Sequence, residues 1–150
     1  MTLYTGCVDD GLKHKKRGLV RYLTISKLSD NTGLKPREDL WNPDKFNLYD
    51  IYFPIIAPDG KDVYDWYQGS LTWEDFSKKY IQRLRSNENE GFLLRLVHDV
   101  VELDLHDEEK GVVLQCVCEK PYFCHRSILA EEIKKIVKNK HKYDLRVKHL

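Results

Sequence analysis

The chain has 150 residues, 41% hydrophobic and 11% aromatic, and its 25 Lys and Arg against 24 Asp and Glu leave a formal charge of +1. That composition excludes a disordered chain, and the near-zero charge argues against coating nucleic acid or lipid by bulk attraction. No apolar run approaches the ~20 residues of a membrane span, and one domain of this length buries a core without disulfide or metal staples.

Leu3-Tyr4-Thr5 opens a short strand that ends at Gly6-Cys7, and residues 13–18 read as a polar, basic loop. Leu19 to Ser26 has the β-branched and aromatic content of a second strand. From Asp30 to Gly69 the periodicity is lost, broken by Pro36, Pro43, Pro54, Pro58, Gly33 and Gly60. Residues 30–70 are therefore expected as an irregular insertion, functional or built of short elements. Its aromatics (Trp41, Phe46, Tyr49, Tyr52, Phe53, Tyr64, Trp66 and Tyr67) argue against disorder. They could stack bases, but core packing is the role assigned to them first.

Thr72 is placed to cap a helix with Asp75 in its first turn, and Trp73, Phe76, Tyr80, Ile81 and Leu84 follow at helical spacing. This predicts a helix over 72–85. Phe92 to Leu103 carries Leu93, Leu96, Val97, Val100 and Val101 on one broad face, which predicts another. Val112 to Cys118, apolar apart from Gln115, reads as a central strand of a parallel sheet. A last helix spans Cys124 to Lys138, followed by a short strand over Tyr143–Val147 within a basic tail, residues 138–150. The order predicts a single-domain α/β fold, Rossmann-like, with a mostly parallel sheet flanked by helices. Its reactive edge lies beyond the carboxyl ends of the strands.

Three of the four cysteines, Cys116, Cys118 and Cys124, fall within nine residues, and Cys7 stands apart. Residues 1–6 lack the basic and apolar regions of a signal peptide, so reduced thiols in a cytoplasmic protein are expected. Cys116 and Cys118, two apart in a strand, are poorly placed to bridge one another and read first as small buried hydrophobes. Cys124-His125-Arg126 differs, because it opens a helix. Free N–H groups and the helix dipole favour an anion there, and Arg126 supplies a guanidinium fork. The Cys124 thiol, beside His125 and a helix start, is expected to have a lowered pKa. Glu119 is a candidate to orient His125 or act as a general base. Gly6, Cys7 and Ser26, at the ends of the first two strands, join the same edge as further anion-binding candidates.

Two chemical readings follow, beside a bland one in which Arg126 caps or salt-bridges locally and His125 is an ordinary surface residue. One is a nucleophilic or acid–base site built on Cys124, His125 and Glu119, with an anionic substrate group. The other is zinc held by Cys116, Cys118, Cys124 and His125. Zinc cysteines are usually separated by two to four residues, whereas Val117 alone separates this pair. No metal or cofactor is therefore expected. A phosphatase loop also fails, since the residue six beyond Cys124 is Ala130.

Several segments together carry a family likeness. They are Leu3-Tyr4-Thr5-Gly6, Thr24-Ile25-Ser26, Ile56-Ala57-Pro58, Thr72-Trp73-Glu74-Asp75-Phe76 with Tyr80, and Cys124-His125-Arg126-Ser127-Ile128-Leu129-Ala130-Glu131. Over roughly residues 2–135 the chain resembles the family called domain of unknown function 488 (DUF488). The resemblance implies a family but no reaction, because that family has no agreed activity. Its pattern puts Glu two residues after the first Cys of the turn. Here that position is Cys118, and the acid is displaced to Glu119. Neighbouring strand residues point to opposite faces, so Cys116 and Cys118 share one and Glu119 points away unless the chain turns first. Cys124, His125 and Arg126 carry the expectation.

Charge is also unevenly spread. Lys13 to Arg21 holds Lys13, Lys15, Lys16, Arg17 and Arg21 against no acid, and from Lys134 onward seven basic residues face Asp144 alone. Asp99 to Glu109 is acidic in compensation. Such runs are more often solvated faces than binding surfaces, yet the separation suits a phosphate-bearing partner approached from one side. The expectation is a cytoplasmic enzyme acting on a phosphate-bearing small molecule, nucleotide or nucleic acid, with no membrane partner. A non-catalytic anion- or nucleic-acid-binding module is the competing reading.

Overall fold

Val112 to Cys116 is buried at every position, and this run, apolar apart from Gln115, forms strand β4 (Val112–Cys116) at the centre of the sheet. The computed structural model describes residues 2–30, 34–106, 111–118 and 123–150, so Glu119 lies outside the described residues. The other strands are β1 (Thr2–Cys7), β2 (Val20–Leu23), β3 (Ile51–Tyr52) and β5 (Arg146–His149). All are parallel, in the order β3-β2-β4-β1-β5. The sheet is wholly parallel, firmer than the mostly parallel one expected. Cys7 pairs with Cys116 and Leu23 with Gln115, so the carboxyl ends of β1, β2 and β4 finish level.

Among the described residues the helices are α1 (Gly11–Lys16), α2 (Glu38–Trp41), α3 (Pro43–Phe46), α4 (Gly60–Tyr67), α5 (Trp73–Leu84), α6 (Asn87–His106) and α7 (His125–His141). Helix α5 starts where its sequence demands, Thr72 Oγ1 accepting from the Asp75 N–H at 3.1 Å. It buries Phe76, Tyr80 and Leu84, and the last two join a core cluster with inward residues of α6 and α7, among them Leu96, Val100, Leu129 and Ile133. No helix is long and apolar enough to cross a membrane among the described residues. A second apolar cluster joins Val8, Leu23, Ile25, Leu40 and Tyr49 to Cys116 and Cys124.

Several boundaries differ from the expected ones for physical reasons. The basic stretch read as a loop folds as α1, because His14 turns inward and hydrogen-bonds Gln115 at 3.0 Å. The expected helix over 92–103 begins at Asn87, its first turn following Ser86 directly. The basic C-terminal residues extend α7 to His141 and supply β5 along the edge of β1.

The aperiodic middle contains α2, α3, β3, a single turn of 3-10 helix at Pro54–Ile56, and α4. What orders it is a buried cation. Arg21, with no exposed surface, donates to both Asp50 carboxylate oxygens, to the Gly11 and Asn47 carbonyls and to Asn47 Oδ1. Core packing, the first role assigned to the aromatics, holds for Tyr49, whereas Trp41, Phe46, Tyr64 and Tyr67 are exposed. The Ile56-Ala57-Pro58 segment is tied to α5 from the other side. Tyr80 Oη donates to the Ile56 carbonyl at 2.7 Å and Arg83 Nε to the Ala57 carbonyl at 2.9 Å.

Candidate functional site

Strands β2 and β4 are neighbours, but the chain leaves them in opposite directions. After β2 it runs to β3 on one side, and after β4 it runs through α7 to β5 on the other. A crevice opens at such a divergence. Here it is a cavity of about 440 Å³, walled by Ile25, Ser26 and Lys27 after β2, by Lys61, Tyr64 and Tyr67 of α4, and by Cys116, Cys118 and His125.

The cysteine-bearing turn forms one wall. Phe123 adopts a left-handed φ of 51°, which sends its ring outward against Trp66 and Trp73 while Cys124 turns inward. Sγ of Cys116, Sγ of Cys124 and a ring nitrogen of His125 all lie within 4.8 Å of one another, and all three residues are buried. His125 Nε2 donates to the Thr24 carbonyl at 2.6 Å, since a carbonyl can only accept. That leaves Nδ1 facing Cys116 Sγ at 3.7 Å. The ring packs edge-on against buried Tyr80, with centroids 5.8 Å apart.

The thiols do not share charge equally. Cys118 is drawn far below the ordinary thiol range, foremost by hydrogen bonds from Cys116 and Cys124, which outweigh its burial, with His125 and Arg126 adding positive charge. Its interaction with Cys118 holds Cys116 up to about 12. Hydrogen bonding to Cys116 and Cys118, then burial, pushes Cys124 well above the usual thiol value. Burial pulls His125 down, but the hydrogen bond and charge of the surrounding sulfurs outweigh it and leave the imidazole raised. The lowered pKa expected at Cys124 is therefore found at Cys118. Cys124 has almost no exposed surface, whereas Cys118 reaches the cavity.

The remaining expected residues divide. Ser26 lines the cavity. Arg126 is fully buried and donates to the Cys118 carbonyl at 2.8 Å, so its charge sits behind the wall. Cys7 is buried, its thiol pushed up to about 11 by burial, with Sγ directed at the Val117 carbonyl. Gly6 gives room to His14, whose ring atoms would stand 2.6 Å from an added Cβ. Sequence reasoning placed Lys27 beside Ser26 at the reactive edge and named Tyr64 and Tyr67 only as aromatics that could stack bases; it missed Lys61 and the carbonyl of Thr24. The last sits within the quoted Thr24-Ile25-Ser26 motif, but a backbone acceptor leaves no trace in residue type.

The family model described as the active DUF488-N3 subclade (DUF488-N3a) matches residues 13–137, a span that takes in β2, β4 and most of α7. Among curated proteins and among solved structures nothing matches. The chain therefore belongs to the DUF488 family, within its N3 subclade.

Proposed function

We propose that the protein is an enzyme acting on a phosphate-bearing ligand of the nucleotide class, held in the cavity at the β2/β4 edge. The observation that carries this reading is a shared wall. Cys116, Cys118 and His125 line the same cavity as Ser26, Lys27, Lys61, Tyr64 and Tyr67. A volume of about 440 Å³ lies within the range of small-molecule sites. Lys27, Lys61 and the Ser26 hydroxyl offer positive charge and a donor for phosphate, and the two tyrosines offer flat apolar faces for a base. Cys118 is the sulfur that meets the ligand as nucleophile. Cys124 and Arg126 act through it from behind the wall, and His125 from within the wall, as positioning residues.

Calorimetric titration with a nucleoside, its monophosphate and inorganic phosphate tests the ligand class. One charge-assisted contact of ~1.5 kcal/mol makes the monophosphate about 10-fold tighter than the nucleoside, and that margin shrinks in Lys27→Ala and Lys61→Ala. Equal affinity for nucleoside and monophosphate, or no binding of either, overturns the reading. Iodoacetamide at neutral pH is expected to label Cys118 before Cys7, Cys116 and Cys124, and bound monophosphate to slow it. Labelling that begins at Cys124 would return the nucleophile to that residue.

A further inference from the structure

We propose that Cys116, Cys124 and His125 form a zinc-binding centre in the wall of the cavity. This goes beyond the nucleotide reading and does not rest on it. Cys116 and Cys118 lie too close along the chain to be the usual pair of zinc cysteines. In the fold the donors come from the end of β4, from the residue that caps α7 and from the first residue of α7, so their separation in sequence sets no limit. All three donor atoms lie within 4.8 Å of one another. Tetrahedral zinc, with bonds of ~2.3 Å to sulfur and ~2.0 Å to nitrogen, sets its ligands roughly 3.5–3.8 Å apart. Cys116 Sγ and His125 Nδ1 already stand at 3.7 Å.

The imidazole is held as a ligand is held. Its Nε2–H is taken by the Thr24 carbonyl at 2.6 Å, which fixes the tautomer and aims the Nδ1 lone pair at the sulfurs. Metal-ligating histidines almost always carry such an outer partner on the other nitrogen. Tyr80, edge-on to the ring, limits its rotation. Two thiolates and an imidazole make a soft donor set, suited to zinc and ill-suited to magnesium or calcium. Three protein ligands leave a fourth position, the arrangement of catalytic rather than closed structural zinc. Cys116 and His125 line the cavity, so that position is reached from the cavity side.

The competing account of the same distances is a thiol donating to a ring nitrogen in a dry core, with no affinity for metal. Titration of the full chain with cobalt(II) alone, under reducing conditions, separates the two. Expected are one cobalt per chain, thiolate-to-cobalt charge-transfer absorption, and displacement by zinc. Cys124→Ser and His125→Gln are each expected to weaken zinc by more than about 10-fold, since losing even an outer partner costs that much. Cys7→Ser and Cys118→Ser keep one cobalt per chain. Circular dichroism of each variant shows whether it folds, and the wild-type spectrum decides the question if the buried-cysteine variants do not. Absent thiolate bands in the wild type overturn the proposal. So does binding that survives both Cys124→Ser and His125→Gln, or that is lost in Cys118→Ser.

Discussion

Arg21 shows how one side chain can organise a segment that has no periodicity of its own. A guanidinium taken out of water needs a partner for each donor, and residues 47–50 and the Gly11 carbonyl supply them. Burial pushes the Asp50 carboxyl up, but hydrogen bonds from the Arg21 guanidinium and backbone N–H outweigh it and hold its pKa below the ordinary value. A carboxylate with a depressed pKa adds stability above its unfolded pKa, and that stability is lost as pH falls through the folded value. Asp50→Ala leaves the guanidinium buried without its counter-charge and is expected to cost about 3 kcal/mol, the low end for a broken buried pair because Asp50 is half-exposed. Urea denaturation measures it, and the difference from wild type should narrow on acidification.

At the scale of the element, α1 is the clearest case of structure that the sequence hides. Six residues with one inward imidazole give no periodic signal, and only the tertiary partner Gln115 shows why they turn. His14 Nδ1 accepts from the Gln115 amide, so the ring must be neutral there, and burial duly lowers its pKa. A depressed folded pKa places this stability above about pH 6.5, the unfolded value, and removes it as pH falls further. Thermal melts from pH 8 to 5 should show a loss on the acid side that is smaller in His14→Gln. Gly6→Ala would bring a methyl to 2.6 Å from the His14 ring, an overpacking expected to cost about 1–3 kcal/mol. By contrast β4 and α5 were legible, since a continuous apolar run and a capped 3.6-residue period are local properties of the chain. The cysteine turn was half legible. Residue types singled out Cys124, His125 and Arg126, but which sulfur reaches the cavity depends on burial and on the left-handed Phe123, and neither is written in spacing.

For the whole molecule, β5 closes one edge of the sheet. Its residues pair with Thr2 to Thr5, Thr5 Oγ1 meets His149 Nδ1 at 2.6 Å, and Leu145 just before it is buried in the main core. Removing residues 145–150 is expected to lose about 3 kcal/mol from Leu145 alone and to leave β1 as an unprotected edge. Calorimetry should show the lower melting temperature, and light scattering the concentration-dependent association that follows.

The divergence of the chain at β2 and β4 has a consequence for how such a protein can change. One wall of the cavity, residues 25–30 and 58–67, belongs to the stretch that leaves β2, passes through β3 and continues into α4, while the sulfur-bearing wall belongs to the route from β4 into α7. The two excursions meet at the crevice but are laid down by separate stretches of chain, each anchored on its own strand. Loops can therefore lengthen, shorten or exchange side chains on the first wall without moving Cys116, Cys124 or His125. Ligand choice and reactive cluster are separable inheritances in this architecture, free to drift at different speeds.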